Sequence, residues 1–362
     1  MKKDSKIYVA GHRGLVGSAI LRKLQQSGYT NIITKKSSEL DLRRQQETED
    51  FFLNEKPEYV FLAAAKVGGI VANSTYKAEF IYDNMAIALN VIHASYRSGV
   101  KKLLNLGSSC IYPKLAPQPL KEEYLLTGAL EPTNDAYAIA KIAAIKLCKF
   151  YNEQYGTDFI SAMPTNLYGP NDNFNLEKSH VLPALIRKFL LAKALEEKDF
   201  DLIRDDVRRI RVGFGYDESI INGNEKDISS ILEKLGISNR SVKLWGSGSP
   251  YREFLHSDDL ANACLLLMEK FSYNDIGELI NIGTGEDQTI KEIAEIVKTT
   301  VGFTGEIEWD TTKPDGTPKK LQDVSRLKGL GWMPTVSLRE GIQSVIKEYT
   351  HHSTHNNLEA LA

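Results

Sequence analysis

Two short segments hold four residue types that a single reaction could use together. Gly107-Ser108-Ser109-Cys110-Ile111-Tyr112-Pro113 supplies serine and cysteine, and Tyr137-Ala138-Ile139-Ala140-Lys141 supplies tyrosine and lysine. A phenol that moves a proton near neutral pH needs its pKa lowered from about 10. A lysine four residues on lies on the same helical face and can supply the lowering charge. Of the sixteen tyrosines, only Tyr137 has such a lysine. The same spacing also arises from a half-buried aromatic beside a solvated lysine, so its meaning depends on the elements around it.

Those elements alternate. Residues 6–10 form an apolar run that ends in glycine, and 15–27 carry apolar residues at helical spacing before Gly28. Strands are expected at 31–34, 59–65, 102–107 and 159–163, the last stopped by Pro164, with helices at 80–98 and 137–155. This rhythm predicts an α/β fold with a doubly wound parallel sheet covered by helices on both faces. Ligands in such sheets bind outside the carboxyl ends of the strands. The serine-cysteine segment leaves a strand at that end.

A glycine fingerprint follows the first strand. Gly11-His12-Arg13-Gly14-Leu15-Val16-Gly17 meets the needs of a tight turn, a close backbone approach to a pyrophosphate and a helix start that favours anions. A purely structural glycine turn is the alternative. An NAD site places an acid at the end of the second strand, but this chain has Thr34-Lys35-Lys36-Ser37 there. With Arg13 in the loop, Lys36 suits the extra phosphate of NADP(H), unless these are ordinary surface cations. Asp41 and Leu42 are candidates for the adenine edge.

The second half is less regular. Pro164-Thr165-Asn166-Leu167-Tyr168 leaves the fifth strand, and His180 opens a helix that continues through Lys188. Trp245-Gly246-Ser247-Gly248 and Arg252 offer a flat aromatic and a guanidinium, suited to a base and a phosphate or else to a hairpin with a core tryptophan. Asp315 lies in a late turn. Residues 191–240 are charged, helical in pattern and look like an insertion, and 278–283 read as a strand returning to the first domain. The expected domains are a dinucleotide-binding domain at 1–167 and about 254–285, and a smaller substrate domain at 168–253 and 286–350. Residues 351–362 are expected as a flexible tail.

Composition narrows the classes. The chain has 362 residues, enough for two domains, and a net charge of −2, which gives no general argument for nucleic acid or membrane partners. Cys110, Cys148 and Cys264 are odd in number and widely spaced, which suits a reducing cytoplasm and argues against a disulfide framework or a cysteine-rich metal site. No apolar stretch is long enough to span a bilayer, and no signal peptide is visible before the first strand.

Segments 10–17, 63–73, 107–114, 132–149, 164–170, 179–185, 245–255 and 313–318 together resemble the extended short-chain dehydrogenase/reductase family. Within that family they are similar to the enzymes that epimerise and then reduce a GDP-4-keto-6-deoxy sugar. The cysteine inside the serine segment narrows the resemblance, because the tyrosine-lysine pair is common to dehydrogenases at large.

The resemblance implies NADPH-dependent conversion of GDP-4-keto-6-deoxy-D-mannose to GDP-L-fucose, by 3,5-epimerisation and then 4-keto reduction. It makes Cys110 the base and His180 the acid of epimerisation, and Tyr137 the proton donor to O4. Lys141 would tune Tyr137 and hold the nicotinamide ribose. Ser108, four residues before Tyr112, would bind the keto oxygen. Lys188, Trp245, Arg252 and Asp315 would hold the GDP-sugar, and Pro164, Asn166, Leu167 and His180 would line the cofactor. A homodimer through helices 80–98 and 137–155 is also implied.

Three alternatives stay open. The insertion is longer than in the compact members, and a reductase of a related GDP-4-keto sugar such as a heptose, without epimerisation, would keep the same residues. A nucleotide-sugar 4-epimerase or dehydratase would recycle NAD, which Arg13 and Lys36 disfavour. A non-catalytic NADP sensor would not need Ser108, Tyr137 and Lys141 together.

Overall fold

Strand β1 (Ile7–Ala10) is apolar at all four positions, and all four are buried. Ile7 and Val9 join one apolar cluster, while Tyr8 and Ala10 join another. Successive side chains of a strand point to opposite faces, so a strand buried at every position needs cover on both sides. The computed structural model, which describes residues 1–359, has that architecture.

The chain continues through α1 (Leu15–Gln26), β2 (Ile32–Ile33), α2 (Gln45–Glu55), β3 (Tyr59–Leu62), α3 (Ile70–Thr75), α4 (Lys77–Arg97) and β4 (Lys102–Leu106). Then come α5 (Asp135–Tyr155), β5 (Phe159–Pro164), β6 (Asn166–Tyr168), α6 (Val181–Glu197), α7 (Phe200–Arg209), α8 (Asp217–Asn222) and α9 (Glu225–Lys234). Strands β7 (Ser241–Trp245), β8 (Tyr251–Arg252) and β9 (Phe254–His256) precede α10 (Ser257–Lys270), α11 (Tyr273–Ile276) and β10 (Ile280–Ile282). Last are β11 (Gln288–Thr289), α12 (Ile290–Val301), β12 (Glu306–Asp310), α13 (Ser325–Gly329) and α14 (Leu338–Glu359). Among the described residues, no helix is long and apolar enough to cross a membrane.

Six strands form one parallel sheet in the order β10-β5-β4-β3-β1-β2. The strand order reverses at β1, which opens a crevice at the carboxyl ends of β1 and β3. Helix α2 was not anticipated from the sequence: its aromatic pair, Phe51 and Phe52, is adjacent and shows no helical period. Strand β2 is only two residues long, and β5 includes Pro164 rather than stopping before it. Proline is tolerated at that end because the ladder does not need its missing N–H.

The chain forms two compact units. The first comprises Met1–Asn171, Glu253–Glu286 and Leu321–Val336; the second comprises Asp172–Arg252, Asp287–Lys320 and the chain from Ser337. Leu321–Val336 therefore falls in the first unit, where the sequence suggested the second. Leu327 and Trp332 sit in an apolar cluster with α1 and α10, and Leu120 N–H donates to the Leu321 carbonyl at 2.7 Å.

In the second unit the 191–240 stretch holds the end of α6 and the helices α7, α8 and α9, and Arg187 anchors α7 to α6. This guanidinium is fully buried. It donates to Asp206 Oδ2 at 2.9 and 2.7 Å, to the carbonyls of Phe174 and Arg211 at 3.0 Å each, and to that of Ile210. The Tyr349 hydroxyl of α14 donates to the other Asp206 oxygen. Ile342, Val345 and Tyr349 bury one face of α14. The helix runs on through Glu359, into the stretch expected as a tail; residues 360–362 lie outside the described residues.

A buried ion pair that loses one partner leaves an uncompensated charge. Arg187→Met should therefore cost about 3–5 kcal/mol in the second unit, read as a lower urea midpoint for its unfolding. An unchanged midpoint would show that the network carries no net stability.

Candidate functional site

In the first unit, the turn after β1 depends on two glycines. Gly11 has φ +83°, and a Cβ there would lie 2.7 Å from the Ala64 backbone nitrogen; a Cβ on Gly17 would lie 2.1 Å from the Gly11 carbonyl oxygen. Gly14, the residue before α1, donates to the Gly11 carbonyl at 3.1 Å and leaves the helix start without a side-chain cap. Uncapped N–H groups at a helix start favour phosphate. Leu15 and Val16, half-buried, begin the helix.

Arg13 and Lys36 are exposed. His12 feels both: desolvation, then Arg13, and further Lys36 lower its pKa, while Glu39 opposes them. His12 Nδ1 is buried with no hydrogen-bond partner. Glu39, which sequence reasoning passed over, accepts the Lys36 N–H at 2.7 Å. The orphaned nitrogen, the two cations and the glycine cradle fit the phosphates of a dinucleotide. Asp41 is committed to Arg43, whose Nε and Nη2 donate to its two oxygens at 2.9 Å each. Leu42 is buried beneath it.

At the carboxyl end of β4, Ser108 precedes a short 3₁₀ turn, Ser109–Ile111, and its Oγ accepts the Cys110 N–H at 3.4 Å. Behind this turn lies a buried polar network that the motif did not reveal. The Tyr112 hydroxyl donates to Asn281 Oδ1 at 2.5 Å, and Asn281 Nδ2 donates to the carbonyls of Leu120 at 2.9 Å and Asp323 at 3.1 Å. Ile111 and Tyr112 also pack with Ile142 and Ile145 of α5.

Helix α5 brings Tyr137 and Lys141 to the same place. Lys141 Nζ lies 5.7 Å from the Tyr137 ring centre and donates to the Leu106 carbonyl at 2.7 Å. Desolvation raises the pKa of the half-buried Tyr137 above 10, and the nearby Cys110 charge raises it further. Desolvation lowers Lys141 to about 8, with Cys110 pulling the other way. The spacing predicted a phenol lowered by lysine; burial reverses that direction. All three cysteines are buried, and burial pushes the Cys148 thiol up to about 12. On β6, Asn166 Nδ2 donates to the Glu253 carbonyl at 2.8 Å, and Leu167 packs against the core; Pro164 is buried at the end of β5.

The second unit gathers a separate set. Lys188, on α6, donates to the carbonyls of Leu235 at 2.8 Å and Lys243 at 3.3 Å, and desolvation lowers it to about 8. Arg252 donates to the carbonyls of Tyr251 and Thr317 at 2.6 Å each, and desolvation lowers its pKa too. Neither cation has an ion-pair partner among the described residues. Trp245 is 65% exposed, with Lys313 Nζ 5.5 Å from its ring centre. Asp315 accepts the Ser247 N–H at 2.8 Å and the Ser247 hydroxyl at 2.7 Å, which fixes the loop after Trp245 and holds Asp315 low. His180 is exposed just before α6 and makes no cap bond. Among the described residues, no cluster could hold a metal.

The Lys141 shift has a consequence for stability. With a folded pKa of about 8 against 10.5 for an ordinary lysine, the unfolded chain binds the proton more tightly. This site's contribution to stability should therefore rise with pH from about 8 to about 10.5. Lys141→Met should flatten that rise in urea unfolding measured at several pH values. Equal slopes in the two proteins would show that Lys141 keeps an ordinary proton affinity.

Known proteins carry the same plan. "GDP-L-fucose synthase 1" of Arabidopsis thaliana is 55% identical over 347 residues, 96% of this chain and 94% of that one. "GDP-L-fucose synthase" of Escherichia coli is 47% identical, covering 94% of each chain. Among solved structures, a GDP-mannoheptose C4 reductase from Campylobacter jejuni with NADP bound matches with a TM-score of 0.84 at 43% identity, over 97% of this chain and 99% of that one. The family model described as NAD dependent epimerase/dehydratase matches residues 7–206 and 216–283. The chain belongs to that NAD dependent epimerase/dehydratase family.

Proposed function

We propose that this chain is an NADPH-dependent epimerase-reductase that converts GDP-4-keto-6-deoxy-D-mannose to GDP-L-fucose. The observation that carries this reading is the grouping of Ser108, Cys110, Tyr137 and Lys141, with Cys110 electrostatically coupled to both Tyr137 and Lys141. High identity to named GDP-L-fucose synthases supports the substrate.

A 4-ketone acidifies the hydrogens on C3 and C5. The Cys110 thiolate removes each in turn, leaving an enolate, and His180 returns a proton to the opposite face. The Lys141 ammonium favours the thiolate, since the attraction that raises the lysine's pKa acts equally on the cysteine. NADPH, when bound, supplies the hydride for C4. Ser108 then holds O4 and Tyr137 protonates it. A raised pKa keeps Tyr137 protonated at neutral pH, as a proton donor requires, and the developing alkoxide is basic enough to take the proton.

Gly11, Arg13, Gly14, Gly17 and Lys36 hold the pyrophosphate and 2′-phosphate, and Lys141, Asn166 and Leu167 border the nicotinamide. Lys188 and Arg252, both desolvated and without ion-pair partners, supply charge for the GDP diphosphate. Trp245 offers a face for the guanine, and Asp315 holds its loop. Tyr82 and Leu89 on α4 and Ile139, Phe150 and Tyr155 on α5 are exposed, which supports a homodimer through these helices. A thiol base suits a reducing cytoplasm. A second reading, reduction of a related GDP-4-keto heptose without epimerisation, draws on the Campylobacter reductase.

Arg13→Ala should weaken NADPH binding at least about tenfold, and NADH binding far less, by fluorescence titration. Equal losses would remove Arg13 from the 2′-phosphate. Incubation with the keto-sugar in D₂O separates the two halves of the chemistry. Cys110→Ser should abolish deuterium uptake at C3 and C5, because a serine hydroxyl is a far weaker base. Tyr137→Phe should retain exchange and NADPH binding while losing reduction by about 100-fold or more. A wild-type protein that reduces the sugar without exchange would favour the heptose-type reading.

A further inference from the structure

A carboxylate, Glu253, stands where β8 gives way to β9, and it is wholly buried. Its Oε1 accepts the Gly285 N–H at 2.8 Å and the Thr284 hydroxyl at 3.3 Å, and its Oε2 accepts the Gln322 N–H at 3.0 Å. A Cβ on Gly283 would lie 2.2 Å from Oε1, so glycine gives the carboxylate its room. Burial raises the pKa of Glu253, the donors oppose that rise, and among the described residues no cation pairs with it. An apolar side chain would fill such a space at less cost. The backbone groups that Glu253 fixes therefore account for its presence.

Those groups lead toward the proposed reactive residues from two sides. The Glu253 carbonyl accepts from Asn166 Nδ2 at 2.8 Å and from the Thr165 hydroxyl at 3.4 Å. Gln322, also buried, donates from Nε2 to the Met163 carbonyl at 3.0 Å and to Asn281 Oδ1 at 3.3 Å. That oxygen also takes the hydroxyl of Tyr112, four residues after Ser108. An unbroken series of hydrogen bonds thus runs from Asn166 through Glu253, Gln322 and Asn281 to Tyr112. All five residues belong to the first unit.

We propose that Glu253 is a positioning residue for hydride transfer: it fixes Asn166, at the nicotinamide, relative to the segment whose Ser108 holds the keto oxygen. This inference rests on the reading of the chain as a GDP-4-keto-sugar epimerase-reductase. In this role Glu253 touches neither sugar nor cofactor and acts through the two ends of the series. Hydride transfer needs its two carbons at close range, and a misplacement of about 1 Å costs about 100-fold. Epimerisation depends less on that distance, because Cys110 and Ser108 share one segment.

The test follows both steps on GDP-4-keto-6-deoxy-mannose. Deuterium uptake at C3 and C5 is measured with the oxidised cofactor bound, and hydride transfer by loss of NADPH absorbance in a single turnover. Glu253→Gln keeps the size of the side chain but sets an NH₂ group against an N–H donor. Gln322→Leu cuts the series one link on and keeps the test readable should Glu253→Gln not fold. Each variant should slow hydride transfer at least about tenfold relative to exchange, with NADPH binding retained in a fluorescence titration. A smaller folded fraction would lower both steps alike, so the ratio separates positioning from instability. An unchanged ratio in Gln322→Leu, or in a folded Glu253→Gln, would overturn the proposal and leave the enzyme reading intact. A wild-type protein that lacks either step would overturn that reading, and this inference with it.

Discussion

The binding face of the first unit depends on one close approach of backbone to backbone. The Gly11 carbonyl lies so near α1 that a side chain at residue 17 would sit 2.1 Å from it, and the loop after β3 closes on Gly11 from the other side. No packing adjustment absorbs an overlap with backbone of that size. The contact sets where α1 begins, and hence where its free N–H groups point. It also falls where the strand order reverses, so the helix start and the crevice between β1 and β3 coincide.

The reactive segment is held in a different way. A 3₁₀ turn of three residues cannot hold Ser108 and Cys110 by its own hydrogen bonds. It is held from behind by Tyr112, whose hydroxyl is buried on Asn281, and Asn281 in turn ties down Leu120 and Asp323. Buried polar groups are costly unless satisfied, and with both polar atoms of the Asn281 side chain hydrogen-bonded the segment has few alternative arrangements. That rigidity matters for the proposed site, where the Cys110 charge acts on both Tyr137 and Lys141.

In the second unit, two neighbouring cations on α6 meet opposite fates. Arg187 is wholly buried and spends its donors on Asp206 and three carbonyls. Lys188, one residue on, faces elsewhere, because adjacent helical residues do not share a face. It is partly desolvated, which lowers its pKa to about 8, and is bonded only to carbonyls. The first residue joins α6 to Asp206 of α7, which in turn takes the Tyr349 hydroxyl of α14; the second has no ion-pair partner among the described residues.

The sequence by itself determined the parts whose physics is local or periodic. A strand covered on both faces is mostly apolar, so β1, β3, β4 and β5 were legible despite the buried Lys102, Asn105 and Ser161, and glycines at a fixed spacing after β1 marked the tight turn before α1. Rare residue types at fixed offsets singled out Ser108, Cys110, Tyr137 and Lys141 as candidates. Helix α2, without a helical period, and the return of Leu321–Val336 to the first unit were not legible, because long-range packing decides both. Neither was the tie from Glu253 to Gln322, which joins residues 69 apart in the chain. The protonation of the site was also misjudged from spacing. Four residues of helix place Lys141 beside Tyr137, and local charge alone would lower the phenol. Only the tertiary structure decides how much water the two groups lose, and that loss raises Tyr137 and lowers Lys141 together.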